Sequence, residues 1–241
     1  MQVFLDEPPI HAAARKADVD ALRRELERGV PPDQRDGDGW TALYLLCRGS
    51  GKADDRLVCF NMLVEAGADV NATTSGEMTA LHMAAVAGNP ALVGKLIEAG
   101  ADVNYGDNTN WTPLHYACMC TGRQAATQAR IKSVVLLLIK AGAAADAEAR
   151  SGRTPLYFAM DRGQQPIYPI LLRAGSPLLV AGFSVSRLPR YLRRVIAAGD
   201  FRTYERNHLN AITAMFVPKF PRLPPELVRR VVEYAFHVGD Y

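Results

Sequence analysis

Four cysteines, five histidines and one glycine-rich hexapeptide are the residues of this 241-residue chain that are best suited to chemistry. The hexapeptide, Gly37-Asp38-Gly39-Trp40-Thr41-Ala42, satisfies the spacing of a dinucleotide-binding fingerprint. Such a fingerprint works only directly after a β-strand and before a helix, where the pyrophosphate meets the helix N-terminus. Because this hexapeptide lies in a repeated segment without such a strand, we predict a turn and no nucleotide site.

The cysteines do not have the spacing of metal ligands. Cys118 and Cys120 are separated by one residue, whereas zinc sites use two or more intervening residues and a second pair. All four cysteines take helical positions that small apolar residues fill elsewhere, which predicts reduced thiols in a hydrophobic core. They are Cys47, Cys59, Cys118 and Cys120.

The motifs of common catalytic sites are missing from the sequence. It contains no GxxxxGK[ST] phosphate loop, no HExxH pair and no GxSxG nucleophile turn. We therefore predict that the protein is not an enzyme, and that it has no catalytic residue, metal, cofactor or small-molecule substrate.

A period of 33 residues organises most of the chain. Gly-Ala-Asp-Val-Asn at 67–71 returns at 100–104, and Thr-Ala-Leu-His at 79–82 returns as Thr-Pro-Leu-His at 112–115. A unit of this length cannot bury its apolar face alone and must stack on copies of itself. The sequence resembles the ankyrin-repeat family, which implies an all-α solenoid of helix-turn-helix pairs with short β-hairpins.

Five copies can be aligned on the glycine that ends each second helix, at Gly29, Gly67, Gly100, Gly142 and Gly175. We predict five repeats over 4–181, at about 8–38, 39–76, 77–109, 110–151 and 152–181. The distance from each repeat's opening threonine to its final glycine varies between 21 and 30 residues. This variation predicts insertions of five and nine residues between the two helices, near 48–57 and 119–130.

The histidines of the first helices are predicted to be structural. In the family that the sequence resembles, the histidine of Thr-Pro-Leu-His bonds to neighbouring backbone, and His11, His82 and His115 match it. Tyr44 and Tyr157 take the same position in the second and fifth repeats.

A partner-binding surface is predicted at the hairpin tips, because the resemblance implies a concave face formed by the tips and the first helices. Eleven residues after each repeat glycine come Trp40, Met78, Trp111 and Arg153, of types enriched at interface hot spots. We add the neighbouring charged residues Asp38, Asp107 and Arg150. In the alternative interpretation, each tryptophan only covers the neighbouring hairpin.

The residue before each tip position is expected to set the shape of the hairpin. The family usually has a turn glycine there, and Gly39 and Gly152 comply. Glu77 and Asn110 replace it, so we expect those two hairpins to differ in shape.

Residues 182–241 do not continue the repeat, and their sequence pattern predicts a C-terminal helical module. Leu223-Pro224-Pro225-Glu226-Leu227 is similar to the opening of an F-box, with too few residues left for a whole one. Leu209, Thr213 and Val217 keep the spacing of a SOCS box, which binds elongin and cullin, although Thr213 replaces its cysteine. The alternative is a helical cap that seals the fifth repeat.

The chain's net positive charge lies in this tail, which has 10 basic and 5 acidic residues. Without aromatic interleaving or Lys/Arg runs, this balance favours solvated arginines over nucleic-acid binding. No apolar run approaches ~20 residues, and MQVFLDEPP lacks the features of a signal peptide. We expect a cytoplasmic protein, with the nucleus as an alternative, and no membrane contact.

Together these features predict a non-catalytic adaptor that binds a protein partner on the concave repeat surface. The alternative is a substrate-recognition subunit of a cullin-RING ubiquitin ligase. In that case the tail would recruit elongin and cullin, or Skp-type components.

Overall fold

The computed structural model describes residues 7–120, 125–177, 188–219, 224–228 and 230. The chain forms two compact units, 1–176 and 177–241. The described part of the first unit consists of consecutive helix pairs. The first helices of the pairs are α1 (Pro9–Lys16), α3 (Ala42–Arg48), α5 (Ala80–Val86), α7 (Pro113–Met119) and α9 (Pro155–Asp161). The second helices are α2 (Val19–Glu27), α4 (Ala53–Glu65), α6 (Pro90–Glu98), α8 (Ala125–Lys140) and α10 (Tyr168–Arg173), the last preceded by a 3-10 turn at Gln165–Ile167.

The pairs stack in sequence order. Each first helix packs against the first helix of the next pair, from α1 through α9, and the second helices stack likewise from α2 through α8. This arrangement confirms the predicted all-α solenoid. The predicted short β-hairpins are not observed, because the residues that the structure describes form helices and turns but no strand.

The core lies between the two layers of helices. On α6, Leu92, Val93 and Leu96 are buried, and Asn89 caps the helix by accepting the Leu92 N–H at 3.2 Å. Leu22 and Glu25 take the matching face of α2, where the Arg28 guanidinium lies 2.7 Å from the Glu25 carboxylate. The first pair therefore tolerates a charge where the inner pairs bury only apolar side chains.

A ladder of side-chain hydrogen bonds links the loops that follow the second helices. The Asp33 carboxylate accepts the Asp69 N–H at 3.0 Å, and Asn71 Oδ1 accepts the Asp102 N–H at 2.8 Å. Asn104 Oδ1 continues the ladder by accepting the Ala144 N–H at 2.8 Å. The next counterpart along the sequence is residue 177, a proline, which has no N–H to donate.

The loops before α3, α5, α7 and α9 share one conformation. In each loop a backbone N–H donates to the carbonyl four residues on, as from Thr74 to Met78 at 2.9 Å and from Asp107 to Trp111 at 3.0 Å. Glu77 and Asn110 have φ of 61°, close to the 79° of Gly39. The expectation that these two loops differ in shape is wrong, because the surrounding hydrogen bonds hold both residues in the left-handed region.

This conformation gives a stability prediction for Glu77→Gly. A residue with a Cβ costs about 1 kcal/mol in the left-handed region, and glycine removes that cost. We expect the variant to raise the free energy of unfolding by about 0.5–1 kcal/mol in urea titrations.

The matched control is Gly152→Ala, at the same position of another loop. Gly152 has φ of 68° and nothing within 4 Å of an added Cβ, so the substitution reports on backbone conformation alone. A loss of about 1 kcal/mol is expected. If both variants shifted stability in the same direction, the conformational explanation would be refuted.

The two insertions appear mainly as helix. In the second pair, α4 has 13 residues where α6 has 9, and in the fourth pair α8 has 16. When Val134, Val135 and Leu138 of α8 are aligned on Leu92, Val93 and Leu96, residues 125–131 form extra N-terminal turns. The prediction of longer connections was therefore right in position, but most of the added length extends a helix.

The second unit contains α11 (Arg190–Ala197) and α12 (Phe201–Phe216), which pack against each other, and a 3-10 turn at Val217–Lys219. Asp200 caps α12 by accepting the Thr203 N–H at 2.8 Å. Leu192 and Val195 of α11 are buried. Arg190, Arg193 and Arg194 of α11 are exposed, in keeping with an amphipathic helix.

Candidate protein-binding face

Four of the five first helices, α3, α5, α7 and α9, begin directly after a threonine that follows a loop. Thr79 and Thr112 form capping boxes with His82 and His115, so that the backbone groups at both helix starts are satisfied. Thr41 caps α3 through its hydroxyl, which accepts the Tyr44 N–H at 3.3 Å. These caps fix the loops before α3, α5 and α7 relative to the helix that follows, whereas the Thr154 hydroxyl before α9 makes no capping hydrogen bond.

The histidines join each repeat to the next. His82 Nδ1 accepts the Thr79 N–H at 3.0 Å, so Nε2 carries the proton and donates to the Trp111 carbonyl at 3.0 Å. His115 repeats this arrangement with Thr112 and with the Arg153 carbonyl at 3.1 Å. His11 Nε2 lies 3.0 Å from the Trp40 carbonyl. The prediction that these histidines bond to neighbouring backbone is confirmed.

His82 and His115 are both held in the neutral form. Burial lowers the pKa of His115 to about 4 and also lowers the pKa of His82, although hydrogen bonds to backbone act in the opposite direction. A neutral ring is required, because Nδ1 must accept while Nε2 donates. The histidines therefore act as structural links.

A continuous group of aromatic side chains and one methionine crosses the loops and first helices; we call it the aromatic band. The Trp40 and Tyr44 rings are 5.8 Å apart, and the Tyr44 and Tyr116 hydroxyls each lie 3.9 Å from Met78 Sδ. The Trp111 ring continues the band, 5.2 Å from Tyr116 and 4.4 Å from Phe158. Its members are Trp40, Tyr44, Met78, Trp111, Tyr116 and Phe158.

The structure thus brings Trp40, Met78 and Trp111 into one band, but the two tryptophans have different surroundings. The Trp111 ring packs against Phe158 of the next repeat and Tyr116 of its own. The Trp40 ring contacts Tyr44 and carries the Arg48 guanidinium 4.5 Å from its centroid. This geometry favours the structural alternative for Trp111 and leaves Trp40 a better candidate for partner contact.

Three of the predicted charged residues lie on the surface. Asp38, Arg150 and Arg153 are exposed in the loops, and the Arg153 guanidinium lies 4.6 Å from the centroid of the Tyr157 ring. Asp38 precedes α3, whereas both arginines precede α9, so the charges lie at opposite ends of the series of loops.

Asp107 differs from the surface position that we expected, since it is only 6% exposed. Its carboxylate accepts the Tyr116 hydroxyl at 2.6 Å, the Thr109 hydroxyl at 2.7 Å and the Trp111 N–H at 2.9 Å. Burial alone would raise the pKa of Asp107, but these hydrogen bonds outweigh it and the pKa is lowered. The carboxylate is therefore committed to holding the loop.

Sequence reasoning missed Tyr44, Tyr116, Phe158 and Arg48 as members of this face. The available signal was the aromatic character of the first helices, which read LYLLC, LHYAC and LYFAM. Which of these aromatic side chains reach the loops of neighbouring repeats cannot be read from the sequence of one repeat.

The cysteines show the predicted character of core thiols. Cys47, Cys59 and Cys118 are free and buried, and Cys120 is free and half-buried. Burial raises the pKa of Cys47 to about 12 and that of Cys120 to about 11, which suppresses the reactive thiolate. Among the residues that the structure describes, no three His, Cys, Asp or Glu side chains are grouped as metal ligands would be.

The tail residues predicted to dock a ligase divide into two groups. Leu209 is buried against Val228, with Val217 packed on the same small cluster. Thr213 is half-buried, and Pro224 and Leu227 are exposed, Leu227 by 46%. Leu223 lies outside the described residues.

None of the described helices combines the length and the apolar character that crossing a membrane requires.

The stacked helix pairs, the capping boxes and the histidine links define a repeat protein of the helical solenoid class. Family models described as ankyrin repeats match residues 10–50, 52–129 and 109–150, which together cover more than half of the chain. The chain therefore belongs to the ankyrin-repeat family, whose members are generally non-catalytic interaction modules.

Two curated proteins, both named Inversin, are similar in sequence to part of this chain. The zebrafish protein is 35% identical over 91 residues, which are 37% of this chain and 8% of that protein. The human protein is 41% identical over 81 residues, which are 33% of this chain and 7% of that protein. The chain thus matches less than a tenth of the length of these relatives.

Proposed function

We propose that the chain is a non-catalytic adaptor that binds a protein partner on the face formed by its loops and first helices. The aromatic band is the observation that carries this proposal. Its half-buried members Trp40, Met78, Trp111 and Tyr116 supply apolar contact area above the buried Tyr44 and Phe158, and residues of these types contribute much of the binding energy at interfaces. Because caps hold the first three loops and the His115 link holds the fourth, little ordering is needed on association.

The charges beside the band support a partner with a defined orientation. At the loop tips, exposed Asp38 and Glu77 lie in the first two loops and exposed Arg150 and Arg153 in the fourth, while Arg35 is held by the Gly39 and Thr73 carbonyls and Glu148 precedes the arginines. Opposite charges on a partner would be attracted to opposite ends of the face, which favours one binding direction over its reverse. The partner expected is a segment with basic groups at one end and acidic groups at the other.

Site-specific photocrosslinking tests the location of binding. A photoreactive amino acid placed at Asp38, and separately at Arg150, is expected to capture the same partner in cells. The control position is Arg24, which is exposed on the second helix α2. Capture from Arg24 but from neither loop would refute the proposed face.

Charge reversal then tests the chemistry of the face. We expect Asp38→Lys combined with Arg153→Glu to weaken binding of the captured partner at least about tenfold, because two attractive contacts become repulsive. Both side chains are exposed, so circular dichroism melting should be nearly unchanged. The matched control, Arg24→Glu on α2, should bind normally; equal binding by all three proteins would exclude a role for these charges.

The tail gives the ligase alternative less support than the loops and first helices give the adaptor proposal. Leu209 and Val217 pack in the cluster around Val228, so their apolar groups serve the tail's own core. Affinity purification of full-length chain and of a 1–182 truncation separates the possibilities. Elongin, Skp or cullin subunits that disappear on truncation would favour the ligase role over the simple adaptor.

A further inference from the structure

A cleft of about 340 Å³ lies where the C-terminal ends of α5 and α7 meet the N-terminal part of α8. Its walls include Val86 at the end of α5, Tyr116 and Met119 on α7, and Ile131 on α8. This volume is at the lower end of the range of about 300–1,000 Å³ for ligand sites. It suits one bulky side chain and its neighbour better than a long segment.

The nine-residue insertion builds one wall of the cleft. The α8 residues that line it are Thr127, Arg130 and Ile131, and all three lie in the extra turns at 125–131. The third pair, whose second helix α6 begins at Pro90, has no such turns. The cleft is therefore specific to the repeat that carries the insertion.

The lining combines apolar side chains with one cation. Val86 and Met119 are half-buried and offer an apolar surface, and Ile131, which is 1% exposed, lies beneath it. The Arg130 side chain is exposed, and within the described part of the chain its guanidinium has no hydrogen bond or ion pair. A carboxylate is the natural partner of such a guanidinium, since it can accept two parallel hydrogen bonds.

We propose that this cleft binds a bulky apolar side chain of a protein partner, with an adjacent acidic side chain paired to Arg130. Tyr116 belongs both to the cleft and to the aromatic band, so the two surfaces are continuous. Its hydroxyl is engaged by Asp107 at 2.6 Å, which leaves the ring as the surface available to a ligand. The proposal depends on the proposed adaptor function only for the source of the occupant.

Methyl NMR of the full-length chain with two dipeptides tests this proposal. Of the seven methionines, Met119 lines the cleft and Met78 lies in the aromatic band, so their methyl resonances separate the two surfaces. The probes are acetyl-Phe-Glu-amide and its neutral isostere acetyl-Phe-Gln-amide. We expect the Glu peptide to shift Met119 more than Met78, which lies outside the cleft and behind Tyr116, and to bind about five- to tenfold more tightly than the Gln peptide.

Arg130→Gln is expected to reduce affinity for the Glu peptide to the level of the Gln peptide, whereas the remote Arg24→Gln should change neither. No Met119 shift at about 10 mM peptide, weaker than any useful affinity, would overturn the proposal. Equal binding of both peptides, or a Met119 shift that follows protein concentration without peptide, would also overturn it. None of these results bears on photocrosslinking from the loops, so the two proposals fail separately.

Discussion

His115→Ala is expected to lower the free energy of unfolding by about 3 kcal/mol at pH 7. The substitution leaves the Thr112 N–H and the Arg153 carbonyl without their histidine partners, and each unsatisfied buried group costs about 1–3 kcal/mol. It also removes the ring that lies 5.9 Å from Phe158. Urea unfolding measures the loss, and exposed Lys140→Ala on the adjacent α8 should be nearly neutral.

The same histidine predicts a pH dependence of stability. The pKa of His115 is lowered from its ordinary value of about 6.5 to about 4, so the unfolded chain binds a proton that the folded chain does not. Stability is therefore complete above about pH 6.5 and decreases as the pH falls toward 4, by about 3 kcal/mol for this residue. His82 acts in the same direction.

Urea midpoints at pH 7, 5.5 and 4.5 follow this loss. Because His115→Ala removes the titrating group, the variant should show a flatter pH profile, and its deficit relative to the natural chain should shrink in acid. Parallel profiles for the two proteins would show that His115 is not the group responsible.

Trp111→Ala is expected to lower the free energy of unfolding by about 2–3 kcal/mol, against about 1 kcal/mol for Trp40→Ala. The Trp111 ring packs 4.4 Å from Phe158 of the next repeat, so its loss leaves a cavity between two repeats. The Trp40 ring contacts Tyr44 and an exposed arginine, Arg48, and exposed cation–π contacts contribute about 0.5–1 kcal/mol.

Thermal and urea unfolding of the two alanine variants measure this difference. Trp111→Phe is the matched control, because a smaller ring can keep part of the contact with Phe158 and should recover more than half of the stability. Equal losses for Trp40→Ala and Trp111→Ala would mean that both rings are structural cover. The expected difference makes Trp40 the appropriate position for testing partner binding without unfolding the protein.

The candidate site was only partly predictable. Counting from the repeat glycines located Trp40, Met78 and Trp111 in equivalent loops, because a fixed period brings equivalent residues to equivalent places. The same count placed Asp107 on the surface, although its carboxylate is buried. The side chain accepts hydrogen bonds from Tyr116 and Thr109, and this choice between solvent and loop depends on a neighbouring helix.

The repeat and the order of its helices could be read from the amino-acid sequence alone. These features follow from local signals: caps at threonines, helix-ending glycines, and apolar faces that recur at matched positions. Each signal acts over a few residues, so it can be read without knowing what lies across the fold.

The conformation of the loops and of the insertion depends on contacts that the amino-acid sequence does not reveal. Hydrogen bonds around Glu77 and Asn110 impose a left-handed backbone that their residue types do not favour. The insertion lengthens α8 at its N-terminal end, and Thr127, Arg130 and Ile131 of these added turns line a cleft together with residues of α5 and α7. Both outcomes depend on contacts between residues far apart in the chain, and pattern or propensity within one segment carries no information about such contacts.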